Sequence, residues 1–374
     1  YGIGAASVEA YDRNAGGYDG MNWEWDNTLE EILPDTARID AFLKQLLPGQ
    51  PVHIVDMMQE ILQGNWVMEP MMFWKYIHTY ILGYTTEWKK LFISILVLFI
   101  LCSVITSFLG AFQNTGAAQT AEFLFLLCQM VVLITALQET KSIVTQTMEY
   151  MLEFLRLAIP SYMICIAAAG SGLSASVFYK LLLGFICLIE GIVVAGCVPA
   201  VEAYMLIGVA ESLMGEDRFR GIMEMIKKGI LWVLKGLIVL VSGSGILQTI
   251  ITPVIDKANL TFMQKSVGAL PGIGDIAETI TSVTIMSANA VKSSFGVTIL
   301  LILILIIIIP ILKVFMILGT IRLATALGSI AGGQRMLKCT QYLTDAGFLL
   351  LRMLVTLSAL FFVSIAAITK ATSG

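Results

Sequence analysis

Charge is what this chain has least of: 13% of its 374 residues are Asp, Glu, Lys or Arg, against roughly 25% in an ordinary soluble domain. A water-soluble globule is thereby excluded. Histidine is nearly absent, and His53 and His78 both precede the first long apolar run, so neither is placed to serve an intramembrane nucleophile or metal. The six cysteines, Cys102, Cys128, Cys165, Cys187, Cys197 and Cys339, include no C-x-x-C pair. That leaves neither zinc spacing nor a disulfide framework and makes them small apolar fillers. A phosphate-cradling glycine loop is missing too, so any energy source is a gradient or another protein. No cofactor, metal or nucleic-acid partner is expected, and the chain reads as non-enzymatic.

What fills the sequence instead is apolar: 57% of it is hydrophobic, with a mean hydropathy of +0.84. The expected fold is all-α, a polytopic helical membrane protein whose surroundings are the lipid bilayer. Net charge is only −4, but residues 1–90 hold 6 Lys and Arg against 13 Asp and Glu. An acidic, aromatic-rich N-terminal region therefore precedes a mildly basic membrane region.

Residues 1–27 are rich in Gly, Asn, Asp and Tyr without periodicity and read as a flexible lead. Within it Ala6-Ser7-Val8-Glu9-Ala10 resembles the small-residue tail of a secretory signal, which places the N-terminus outside the cytoplasm. From Thr28 the pattern turns helical: Leu29, Ile32 and Leu33, then Ile39, Phe42, Leu43, Leu46 and Leu47, fall on one helix face, broken at Pro34 and Pro48. Ile54, Met57, Met58, Ile61 and Leu62 make a third short face. Aromatics then gather from Trp66 to Trp88, at the composition of the headgroup level. Residues 28–90 thus form an amphipathic helical region, lying on the membrane or folded as a small soluble domain, and residues 91–374 the transmembrane domain.

A span needs roughly 20 apolar residues, and the candidates are 91–109, 121–138, 154–172, 177–214, 229–251, 295–318 and 347–368. The block 177–214 is too long for one ordinary span. Gly196-Cys197-Val198-Pro199 at its middle predicts a tight hairpin there, giving seven or eight transmembrane helices in all. Starting outside, eight spans put the basic cluster Arg218, Arg220, Lys227 and Lys228 on the cytoplasmic side, as the positive-inside rule asks, along with Arg322, Arg335 and Lys338. Lys235, Lys313 and Arg352 then fall near cytoplasmic span ends, where they read as snorkelling anchors.

Two polar features stand out. Glu190 falls inside a span without a neighbouring base, which makes it a candidate intramembrane polar site or a carboxyl held neutral or hydrogen-bonded in the bundle. The second is the stretch 242–294, small and polar between apolar runs. Pro199, Pro271 and Gly274 are candidate helix breaks. Asp275 with Glu278 makes a capping box that starts a helix over about 273–294, with Asp275, Glu278, Ser282, Asn289 and Lys292 on one polar face. That face reads as a conduit or docking surface, on a helix that lies on the outer surface or dips back as a re-entrant element.

Catalytic readings of the same residues fail. Gly272-Ile273-Gly274-Asp275 matches half of an intramembrane aspartyl protease signature, but a second aspartate in an apolar run is missing. Gly170-Ser171-Gly172 and Ser242-Gly243-Ser244-Gly245 do not complete a nucleophile elbow. Close helix packing explains them better.

Several residues nevertheless resemble a known family: Ile159-Pro160 followed by Ala167 to Gly172 and Ser174-Ala175; Lys265 leading to Pro271 and Gly274; Ser287-Ala288 with Val291-Lys292 and Gly296; and Pro310 three residues before Lys313. With the order of spans, the chain from about Phe42 onward is similar to the stage III sporulation protein AE family of endospore-forming bacteria. The resemblance implies a polytopic subunit of the complex joining mother cell and forespore, in the mother-cell membrane around the forespore. It also implies a hetero-oligomer with ring-forming proteins, an ATPase and a forespore-side partner, in support of late forespore gene expression. The alternative from the residues alone is a self-contained secondary transporter whose site is Glu190 and the broken helices.

Overall fold

A computed structural model of the chain describes residues 36–46, 53–64, 70–112, 115–214, 218–241, 243, 274–331 and 333–371. Expectations that fall on residues 1–35, 47–52, 65–69, 242, 244–273 or 372–374 lie outside the described residues, Pro271 among them. The described residues are almost all helical and include no strand. Among the described residues five stretches, Gly83–Ala111, Gly116–Ala169, Tyr179–Met214, Asn289–Gly328 and Gln334–Lys370, are long and apolar enough to cross a membrane.

The N-terminal periodicity is realised as two short helices, α1 (Thr36–Leu46) and α2 (Ile54–Leu62). Ile39, Phe42, Leu43, Ile54, Met57 and Met58 are buried. Asp40 of α1 accepts a 2.9 Å hydrogen bond from the Ile54 backbone N–H at the start of α2 and a 3.1 Å contact from His53. One carboxylate thus satisfies an orphan donor and complements the positive end of the α2 dipole.

The long helices are α3 (Pro70–Ala111), α4 (Thr115–Ile166), α5 (Gly172–Ile189), α6 (Val198–Met214), α7 (220–241), α8 (Gly274–Gly328) and α9 (Gln334–Ala371). Specific contacts fix their directions. Lys313 lies 4.2 Å above the Tyr84 ring and Gly328 meets Phe99, so α8 runs parallel to α3. Lys313 also pairs with Glu139 at 3.4 Å, and Tyr162 stacks on Phe295 at 5.9 Å, so α8 is antiparallel to α4. Gln129 donates to Thr340 at 2.5 Å and Ser358 to Met151 at 3.9 Å, so α9 is parallel to α4. These four helices form the core, with α7 attached through Lys227–Asp345 at 2.6 Å.

The hairpin expected at Gly196–Pro199 is not there. Helix continues through Pro199, preceded by a π-helical segment, Glu190–Cys197. Its wider turn accommodates a residue that lacks an N–H and whose ring crowds the carbonyl four residues back. The reversal lies earlier. Arg156 pairs with Glu190 and Lys141 with Glu202, whereas 34 residues of straight helix would separate the first pair by about 50 Å. The chain therefore doubles back between α4 and α5, in a stretch that includes the π-helical, all-small Ala167–Ser171. α4 and the α5–α6 arm lie side by side.

Continuity also changes the stretch after Gly274. α8 holds 55 residues without interruption, with Pro310 inside it, so residues 274–294 prolong the following span and do not form a separate surface or re-entrant helix. At about 1.5 Å per residue, α4 with 52 residues and α8 both exceed the roughly 30 Å hydrocarbon layer. Part of each helix meets something other than acyl chains.

Candidate functional site

Among the described residues, polar side chains concentrate chiefly in a closed place and an open one, with a smaller ionic cluster beyond them. The closed place is a junction of α4, α8 and α9. Gly296 leaves room there for its neighbours: a Cβ on it would stand 2.6 Å from the Thr369 hydroxyl and 2.9 Å from that of Tyr162. Those hydroxyls are 2.5 Å apart. Because Thr369 donates to the Ile365 carbonyl at 2.9 Å, Tyr162 is the donor to Thr369. Ser294 and Thr298, both buried, return their hydroxyls to carbonyls four residues back, so this end of the bundle is polar in composition yet internally satisfied.

The open place is a seam between α4 and α6 above α9, a groove of about 540 Å³ lined by Gln138, Lys141, Ser142, Thr145, Glu202 and Met205 among others. Lys141–Glu202 crosses it, and Arg156–Glu190 crosses the same helical pair further along. Both bases come from α4 and both acids from the α5–α6 arm, so the two pairs clasp the hairpin. All four side chains remain between 39% and 49% exposed. The open side of each half-exposed pair leaves the seam a charged surface on the outside of the bundle. A second polar cluster, Lys227–Asp345–Arg322 with Arg322 over Phe348 at 4.2 Å, ties α7, α8 and α9.

The residues singled out in the sequence do not converge. Asp275, Glu278 and Ser282 stand on the first turns of α8, with side chains outside the described set, and Gly274 is its first residue. Lys292 is 0% exposed and donates to Asn289 at 2.7 Å, so that end of the expected outer face turns into the bundle. Glu190 is held by Arg156 from the facing helix, a base 34 residues away that no local reading finds. Lys313, read as an anchor, is only 15% exposed and bridges Glu139 and Tyr84. Sequence reasoning passed over Lys141, Arg156 and Tyr162. A signal was present: along 138–156 every residue that the structure exposes is polar, at the three- and four-residue steps of one helix face.

Comparison with known proteins adds the following. The family model described as stage III sporulation protein AE matches residues 52–372. The stage III sporulation protein AE of Bacillus subtilis (strain 168) is 20% identical over 316 residues, 84% of this chain and 79% of the relative. No solved structure matches the chain.

Proposed function

The chain belongs to the stage III sporulation protein AE family, and on that premise we propose that it is a non-enzymatic membrane subunit of the assembly joining mother cell and forespore. Its place is the mother-cell membrane that surrounds the forespore, with the acidic N-terminal region extracytoplasmic. Its partners are ring-forming proteins, an ATPase and a forespore-side protein of the same assembly. The observation that carries this reading is the family match over 52–372, on a chain built as a polytopic helical bundle.

Charge placement supports the orientation. If α4 and the α5–α6 arm each cross once, three crossings precede the basic loop at Arg218 and Arg220, and an outside start puts that loop in the cytoplasm. The transporter alternative draws less support, because Pro199 lies within continuous helix and Glu190 is engaged by Arg156.

Deleting the gene in its own spore-forming host, with a reporter of late forespore transcription, tests the reading. Transcription should fail and be restored by the intact chain. Normal spores with normal late transcription would sink it, and substrate flux by the purified protein alone would favour the transporter.

A further inference from the structure

The polar face of α4 stands at a level of the bundle where other flanks are mostly apolar. Lys313–Glu139 and Phe295–Tyr162 set Ile304 of α8 level with about residue 150 of α4. Ser358–Met151 sets Val355 of α9 close to the same level. Gly208 lies between Met223 of α7 and Tyr342 of α9, and Lys227 reaches Asp345. α7 therefore follows α9 in register, and Trp232 and Val239 fall at this height as well. These four side chains are exposed, Trp232 at 77% and Val239 at 71%. α8 thus presents a wholly apolar surface at this level, and α7 and α9 present mostly apolar ones, interrupted by the exposed Lys235 and Arg352.

On α4 the exposed residues of that level are Gln138, Glu139, Ser142, Gln146, Glu149, Glu153 and Arg156, with no apolar member. They extend over about 27 Å at 1.5 Å per residue, close to the roughly 30 Å hydrocarbon layer. Earlier on the same helix the exposed large residues are Phe123, Leu124, Leu127 and Val131, so α4 changes surroundings near Gln138. Two neighbours agree. The α5–α6 arm turns Glu190 and Glu202 toward this face, and α1 docks beside it through Phe42 against Tyr150 while exposing Arg38 and Lys44. Charged side chains at bilayer depth face a bundle interior or a water-filled cavity.

We propose that this α4 face, with Glu190 and Glu202 opposite, lines a water-filled vestibule that enters the membrane region on one flank of the bundle. Hydrated, hydrophilic solutes occupy it, while the apolar flank of α8 and the apolar positions Trp232, Val239 and Val355 of α7 and α9 face lipid at the same height. The inference rests on the membrane-subunit reading above and gives that subunit an aqueous wall at a stated place.

The test uses the full chain in lipid vesicles without partners, with the exposed Cys128 and Cys187 changed to Ala. Ser142→Cys, Gln146→Cys and Glu149→Cys should react with a membrane-impermeant maleimide at least tenfold faster than Trp232→Cys, Val239→Cys and Ile304→Cys. A nitroxide at Ser142 or Gln146 should be relaxed more by a water-soluble nickel complex than by oxygen, which reads water directly where maleimide access is sterically blocked. Equal protection of both sets, with oxygen the better relaxer at Gln146, overturns the vestibule. Equal labelling of both sets also overturns it, since the bilayer would then surround the Val97 to Val131 end. Either failure leaves the sporulation phenotype of the deletion untouched, so the vestibule and the family role fail separately.

Discussion

Tyr162 and Arg156 lie less than two turns apart on α4, yet each meets its polar partners under opposite conditions. At Tyr162 the atoms are neutral hydroxyls, the phenol buried and Thr369 half-buried, brought together because Gly296 has no Cβ. At Arg156 and Lys141 they are charges, half exposed, met by carboxylates from the returning arm. The enclosed site tolerates no added volume, since interior packing is near that of a crystal. The open seam has room for rearrangement, because its ion pairs are only half buried and a groove lies beside Lys141–Glu202. One end of α4 is accordingly a clamp, and the stretch before it is an open, charged seam.

The largest effect should come from filling the clamp. Gly296→Val puts carbon where the Thr369 and Tyr162 hydroxyls stand, an overpacking of about 3 kcal/mol, read as a lowered thermal midpoint in detergent. Combining Gly296→Ala with Thr369→Ala removes one of the struck side chains and should recover part of the loss. An unchanged midpoint in Gly296→Val would mean that the three helices are not this close.

A smaller effect belongs to the seam. Arg156→Glu sets two carboxylates face to face and should weaken the α4 to α5–α6 hairpin by about 1 kcal/mol, after allowance for solvent at half-exposed ions. The exchange Arg156→Glu with Glu190→Arg should restore it. Disulfide trapping between cysteines introduced at Lys141 and Glu202 reads the hairpin directly, and failure of the exchange to rescue trapping would break the contrast with the clamp.

The smallest effect is expected at α1–α2. The hydrogen bond and charge of Asp40 raise the His53 pKa above its usual 6.5. A raised folded-state pKa stabilises below the unfolded value and loses that contribution as pH rises through the folded one. Docking of α1–α2, followed by limited proteolysis, should therefore loosen slightly between pH 6 and pH 8, and His53→Ala should flatten the profile. An unaltered profile in His53→Ala would remove His53 as its cause.

Much of this architecture was legible in the sequence. Apolar runs near twenty residues predicted membrane-crossing helices where Asn289–Gly328 and Gln334–Lys370 now stand. Three- and four-residue spacing found α1 and α2 with their buried faces. The aligned candidates Asp275 to Lys292 were legible only as a stripe on a helix. That the stripe continues into a 55-residue rod, and that Lys292 ends inside the bundle, depends on what packs beside it.

By itself the sequence determined which segments are helical and that the chain belongs in a membrane, because burial of apolar area and backbone hydrogen bonding in lipid act locally, residue by residue. Where the chain turns was decided by tertiary structure. A Gly-Cys-Val-Pro run looks like a break only until a π-helical turn absorbs the proline, and the actual reversal is secured by Arg156–Glu190 and Lys141–Glu202, pairs 34 and 61 residues apart. Partners that distant leave no periodicity behind, since what joins them is proximity in space and the requirement that charges in a hydrophobic molecule be met by water or by one another.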